Sequence, residues 1–231
     1  MKKIVCFGDS VTQGVPHCHL GDTFVKVLER RLSQRRNQQE RVLCINSGVG
    51  GENTAEGLAR IQPAVLDHSP DLVVVEFGLN DIRYEPEKRI LPDAFCANLR
   101  RIHDQIREAG ARVVFTTPNP IINAYHLYSM GTDFYDPWGG CNGAVEEYAG
   151  LVRQVAAELG APLCDVYQAF INRAIDFEFE SACPDYTDLR CLGGYISMAD
   201  GVHPTAPGQE LIARELYRVI VVGGLLERQG Q

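Results

Sequence analysis

Ser10 lies in the segment Gly8-Asp9-Ser10-Val11-Thr12-Gln13-Gly14, and Asp200 and His203 lie near the other end of the chain in Asp200-Gly201-Val202-His203-Pro204. A hydroxyl, an imidazole and a carboxylate are the groups that nucleophilic ester hydrolysis needs: one attacks, one takes its proton, one orients the base. Ser10 on a tight turn is the candidate nucleophile, with Gly8 permitting a sharp backbone there. His203 is the candidate base. Asp200, three residues earlier, can reach the Nδ1–H of His203 from the same loop and fix its tautomer. Pro204 biases His203 away from helical angles and so holds it off whatever helix follows. The reaction also needs donors for a developing oxyanion. The backbone N–H groups of Ser10 and Gly51 and the side-chain amide of Asn80 are the candidates. Gly50 competes with Gly51, which is preferred for its distance from Asn46.

These residues need elements to bring them together. Apolar runs predict strands over Lys3–Phe7, Val42–Asn46, Leu72–Phe77, Arg112–Thr117 and Pro162–Val166. The third is a continuous β-branched run, as in a strand buried on both faces. Helical periodicity falls over Asp22–Arg36, Thr54–Leu66, Pro92–Ala109, Gly143–Leu159 and Thr205–Leu226, with Thr54 as an N-cap, Gly110 as a C-cap and an unsharp end near Gly223-Gly224. Repeated strand–helix–strand units predict a three-layer α/β/α arrangement around a parallel sheet. No linker or repeat divides the chain, so residues 1–231 are read as one domain. In such sheets ligands sit outside the carboxyl ends of the strands. The segments after the first three strands, with the 200–204 segment, all converge there. Two stretches, 118–141 and 178–199, carry no periodicity. The first is rich in aromatics, including Tyr125, Tyr128, Phe134, Tyr135 and Trp138, which suit a sugar ring or an acyl chain.

Together these segments resemble the GDSL-type SGNH hydrolase family. Its first block is met by Gly8-Asp9-Ser10 with Thr12 and Gly14, its second by Asn46 through Gly51, its third by Gly78, Asn80 and Asp81, and its last by Asp200, His203 and Pro204. Val11 departs from the usual Leu. The four blocks, in order, span residues 8–204. The resemblance implies a flavodoxin-like fold with a five-stranded parallel sheet. It implies Ser10, Asp200 and His203 as triad and Ser10, Gly51 and Asn80 as oxyanion hole. It also implies an esterase, lipase or acyl hydrolase that needs no metal and no organic cofactor.

Composition excludes other partners. The net charge of -8 disfavours nucleic acid and anionic membrane surfaces, which reward clustered positive charge. The basic stretch from Lys26 to Arg41 reads as a solvated helix face. No apolar run approaches a membrane span, and Ile4–Phe7 is too short for a signal-peptide core, so a cytoplasmic location is expected. Eight cysteines are present. Cys6, Cys44 and Cys164 fall in strand-like runs and read as reduced, buried thiols, while Cys183 and Cys191 flank a loop and could pair under oxidation. His17, Cys18 and His19 lack a second cluster at metal-ligand spacing, so no metal is expected. His17, His19, His68, His103 and His126 have no partner pattern, and Asp9 and Asp81 read as structural. The chain has no G-x-S-x-G elbow, H-E-x-x-H or Walker loop. The expected substrate is a small acyl ester, short-chain or O-acetyl, because no long apolar helix lies near the site as a true lipase would have. Two other readings stand beside it: a phosphate- or nucleotide-binding flavodoxin-like module built on Ser10, Thr12 and Gly14, and an acyltransferase using the same triad. The Asp200-x-x-His203 spacing is what a phosphate loop does not need. Oligomeric state is not legible.

Overall fold

The computed structural model describes residues 1–35, 41–126, 132–180 and 186–227. Five parallel strands, β1 (Lys2–Gly8), β2 (Val42–Gly48), β3 (Leu72–Glu76), β4 (Arg112–Thr116) and β5 (Leu163–Cys164), are ordered β2-β1-β3-β4-β5. This is the flavodoxin-like doubly wound order, with its switch point between β1 and β3. Every residue of β3 is buried, Leu72–Val75 as their apolar run predicts and Glu76 although it carries a carboxyl group.

The helices are α1 (Ser10–Gln13), α2 (Phe24–Ser33), α3 (Thr54–Ala59), α4 (Ile61–Ala64), α5 (Pro92–Glu108), α6 (Cys141–Glu158), α7 (Val166–Phe179) and α8 (Ala206–Val222). α2 packs on α8 and α8 on α7, while α3 packs on α5 and α5 on α6, which makes the two outer layers. Among the described residues no helix is long and apolar enough to cross a membrane.

Ser10, expected on a tight turn, opens the one-turn helix α1, and three further elements differ from the sequence expectation, each for a local reason. The helix expected over 54–66 is broken at Arg60 into α3 and α4. Pro63 has no N–H to give the Ala59 carbonyl and its ring crowds that carbonyl. The fifth strand is only two residues long, because Asp165 caps α7 immediately after it by accepting from Gln168 N. α7 itself has no counterpart among the expected elements. It buries Val166, Tyr167, Phe170 and Ala174 but leaves Ile175 and Phe179 exposed, so it shows no clean polar face for periodicity to detect. Arg36, the expected end of the first helix-like stretch, lies outside the described residues, as do Tyr128 and Cys183; the Cys183–Cys191 pairing therefore falls outside them too. Cys6, Cys44 and Cys164 are thiols inside β1, β2 and β5, and burial pushes Cys44 up to about 12.

Gly8 is not at a sharp turn. It ends β1 in register with Gly48 and Glu76. Glycine is needed there because a Cβ would lie 2.3 Å from both the Glu76 carbonyl oxygen and Thr12 Oγ1. That vacancy lets α1 sit directly on the sheet edge.

Three carboxyl groups are buried at this edge: Asp9, Glu76 and Asp81. Asp81 Oδ1 accepts from Thr54 N at 2.9 Å and Thr54 Oγ1 at 2.6 Å. Burial nevertheless pushes the Asp81 carboxyl up to about 7. A carboxyl raised on folding binds more protons in the native state than in the unfolded one, so its contribution falls as pH rises from about 4 to about 7 and is flat above. Asp81→Asn keeps the Oδ1 acceptor and removes the charge. Urea denaturation of the two proteins at pH 4 and pH 8 should show the wild type losing more stability across that interval than the variant, by on the order of 2–4 kcal/mol. Equal losses would show that folding leaves the Asp81 carboxyl in the usual carboxylate range.

Candidate active site

The residues singled out from the sequence meet at the carboxyl edge of the sheet. Ser10 is the first residue of α1, directly after β1. Asp9 is its N-cap and accepts from Val11 N at 2.8 Å through Oδ1. Asn80 follows β3, and its Nδ2 donates to Asp9 Oδ2 at 3.2 Å and to the Glu52 carbonyl oxygen at 3.1 Å. One buried carboxyl group therefore positions both Ser10 and Asn80. Burial, then the neighbouring Glu76 carboxylate, pushes Asp9 well above the usual carboxylate range. Glu76 Oε2 in turn accepts from Thr12 Oγ1 at 2.8 Å.

Gly50 and Gly51 follow β2. Gly51 has φ +81°, a left-handed conformation that favours glycine. The backbone N–H groups of Ser10, Gly50 and Gly51 have no protein acceptor among the described residues, and all three residues line one cavity. Both glycines remain placed to donate there. Arg60 braces this edge from below. Its guanidinium lies over the Phe7 ring and donates to the Gly8 and Ser47 carbonyl oxygens and to Glu52.

His203 closes the site from the far end of the chain. Its Nε2 lies 2.9 Å from Ser10 Oγ and its Nδ1 3.1 Å from Asp200 Oδ2. Asp200 Oδ1 accepts from the backbone N–H groups of Val202 and His203 at 2.8 and 3.0 Å. Partial burial raises the Asp200 carboxyl, but bonds from the His203 ring and these two N–H groups outweigh it and hold it well below the usual carboxylate range. An ionised carboxylate can only accept, so Nδ1 carries the ring proton and Nε2 is left as acceptor for the Ser10 O–H. The arrangement can move a proton from Ser10 Oγ to His203 Nε2 while Asp200 stays ionised.

The loop that carries Asp200 and His203 is tied down on several sides. Gly201 N donates to the Ser197 carbonyl oxygen at 2.7 Å, Ile122 N to the Gly201 carbonyl oxygen at 2.8 Å, and Asn119 Nδ2 to the Val202 carbonyl oxygen at 2.9 Å. The start of the irregular stretch after β4 is thus a support for this loop. Gln209, buried in α8, links the two ends of the chain: its Oε1 accepts from Phe24 N at 2.7 Å and its Nε2 donates to the Val11 carbonyl oxygen at 3.1 Å.

The cavity in front of Ser10 measures about 330 Å³. Its inner wall is apolar, with the buried Leu79, Ile82, Ile121, Tyr135 and Cys141. Of the described aromatics in the 118–141 stretch only Tyr135 lines it; Trp138 packs on Phe134 and donates to Glu147 on α6 instead.

Two residues missed from the sequence also line the cavity, His17 and His126. The His17 ring stacks on that of His203, with centroids 3.5 Å apart and planes 5° apart. Neither has a sequence signal, since contact with His203 is created only by folding. His17, Asp200 and His203 each place a potential ligand atom within 4.8 Å of the others. Parallel rings, however, aim their lone pairs side by side rather than at a common point, and His203 Nδ1 is committed to Asp200, so the set does not fit a tetrahedral metal.

The model of the GDSL-like lipase/acylhydrolase family matches residues 6–211. An uncharacterized lipoprotein, YqeF, of Bacillus subtilis is 28% identical over 97% of this chain and 90% of its own length. An acetylxylan esterase of Geobacillus stearothermophilus is 24% identical over 78% of this chain and 72% of its own length. Among solved structures, a lipase/acylhydrolase from Enterococcus faecalis superposes with a TM-score of 0.72 at 27% identity, covering 100% of both chains.

Gln209→Leu keeps the size of the side chain and removes both of its bonds. It leaves a buried Phe24 N–H without its acceptor, which should destabilise the fold by about 1–3 kcal/mol and loosen α8 against α1. Denaturant midpoints and kcat, measured together, check this: a variant as stable and as active as wild type would show that packing of α2 on α8 alone holds the two ends.

Proposed function

This chain belongs to the GDSL-like lipase/acylhydrolase family, and we propose that it is a serine esterase cleaving small acyl esters, short-chain or O-acetyl, with Ser10 as nucleophile, His203 as base and Asp200 as its orienting partner. The observation that carries this reading is the continuous hydrogen-bonded line Asp200–His203–Ser10 at the mouth of a cavity. Ser10 Oγ attacks the ester carbonyl as His203 Nε2 takes its proton; the imidazolium then returns that proton to the departing alcohol oxygen. Water, deprotonated by the same nitrogen, hydrolyses the acyl-serine. The N–H of Ser10, the N–H of Gly51 and the Asn80 amide stabilise the oxyanion. Asn80 Nδ2 gives its two N–H groups to Asp9 Oδ2 and the Glu52 carbonyl, so these bonds set the amide at the site and its donation to the oxyanion requires one of them, the longer one to Asp9, to be released or shared.

The preference for a small acyl group is supported by the cavity, whose 330 Å³ lies at the low end of ligand pockets. The acetylxylan esterase relative favours an O-acetylated substrate in the same direction. A phosphate-binding module is less well supported: α1 has only four residues, and the Ser10 hydroxyl is engaged with an imidazole.

Ser10→Ala should lower kcat on p-nitrophenyl acetate by about 10⁴-fold or more, and a fluorophosphonate probe should label Ser10 alone. Full activity in that variant rules out the mechanism. Asn80→Ala should cost about 10²–10³-fold in kcat; a loss confined to KM would place Asn80 in ground-state binding instead. Across p-nitrophenyl esters from acetyl to decanoyl, kcat/KM should fall at the longer chains.

A further inference from the structure

His17 lies between α1 and the 3₁₀ turn Leu20–Asp22, on a loop that no hydrolytic role has drawn upon. Its ring is laid almost exactly face to face on the His203 imidazole, at 3.5 Å and 5°. Its Nδ1 is 3.7 Å from Asp200 Oδ2, the same oxygen that takes His203 Nδ1–H. We propose that His17 is a positioning residue for the base: its ring fixes the plane of the His203 imidazole, covers the Asp200–His203 pair from solvent, and forms with His203 a stack that admits one proton.

A π face favours a cation above it, so a neutral His17 stabilises the imidazolium that His203 becomes when it takes the Ser10 proton. Two imidazolium rings at this separation repel, so a second proton on the stack is opposed. The groups that face His17 agree with this assignment. From the loop before α8 these are His203 and Asp200. Partial burial and then His203 push His17 below the usual histidine range, against an upward pull from Asp200. His126, after β4, lines the same cavity and feels the charges of the same two residues, and burial pushes it down as well. On the segment of His17 itself, Cys18, His19 and Asp22 are the neighbouring titratable groups, with Cys18 turned back to the Gly14 carbonyl oxygen. Across the cavity Arg83 and Glu85 pair with each other. The proton taken from Ser10 therefore resides on His203, not on His17.

This inference rests on the reading of Ser10 as nucleophile and His203 as base, so Ser10→Ala belongs in the same experiment. Wild type, His17→Ala and His17→Phe are assayed on p-nitrophenyl acetate from pH 5 to pH 9. His17→Ala should lower kcat by about threefold to tenfold, with KM within about twofold, in keeping with the worth of a stacked ring pair. His17→Phe restores the flat ring and should recover kcat to within about twofold of wild type. A phenyl face offers a cation more than an imidazole face does and takes no proton of its own, so the acid limb of its kcat/KM profile should move to higher pH by about 0.3 units or more. An unchanged kcat in His17→Ala, or an acid limb in His17→Phe that coincides with wild type, overturns the role of His17 and leaves the parent reading standing. Activity surviving Ser10→Ala overturns both. If His17→Ala does not fold, the acid limb of His17→Phe still decides.

Discussion

A 2.9 Å contact between Ser10 Oγ and His203 Nε2 joins residues 193 positions apart, and most of the polar architecture at the sheet edge exists to hold it. Hydrogen bonds tolerate errors of only a few tenths of an ångström, and loops do not supply that precision by themselves. The molecule supplies it twice over. On the Ser10 side, Gly8 lets α1 rest on the sheet and Asp9 caps it. On the His203 side, the loop is bonded to the segment after β4, and α8 is bonded through Gln209 to α1 and α2. Ser10 and His203 are thereby referred to the same rigid core.

The electrostatics follow from that placement. Asp200 sits at the rim with three donors pointed at it and stays ionised, while Asp9 and Asp81 sit beneath the site and are raised by burial. Identical carboxyl groups are pushed in opposite directions because donors and solvent are divided unequally between them. The buried groups hold Asn80 and Thr54 in place. Their cost in stability at neutral pH is the counterpart of an ordered polar floor, a common exchange at functional sites.

Membership of the family constrains the chemistry more than the substrate. One fold carries many activities, and what separates them is the lining of a small volume. Here that lining pairs an apolar inner wall with a mouth carrying Arg83, Tyr84, Glu85 and His17. In the proposed reaction, discrimination between acyl groups belongs to the former and the environment of the His203 proton to the latter.

Local chemistry made much of this protein legible from its residues. A buried β-branched run can hardly be anything but a central strand, and Asp200-x-x-His203 can close on itself within one loop, so β3 and the Asp–His pair are read without knowing the fold. Glycines, caps and turn residues after each strand likewise announce where a doubly wound sheet gathers its ligands. What the sequence could not state is anything made by two distant segments touching. The stack of His17 on His203, the clamp of Gln209 across α1 and α2, and the commitment of the Asn80 amide to Asp9 all leave no periodicity or spacing behind. α7 escaped notice because its apolar residues surround the helix, and the break at Arg60 because the effect of a proline on the turn before it competes with an otherwise helical pattern. Periodicity reports which face of an element is buried. Only the packed tertiary structure decides which side chains from different elements come within hydrogen-bonding or stacking distance, because that depends on the relative position of whole elements rather than on any one of them.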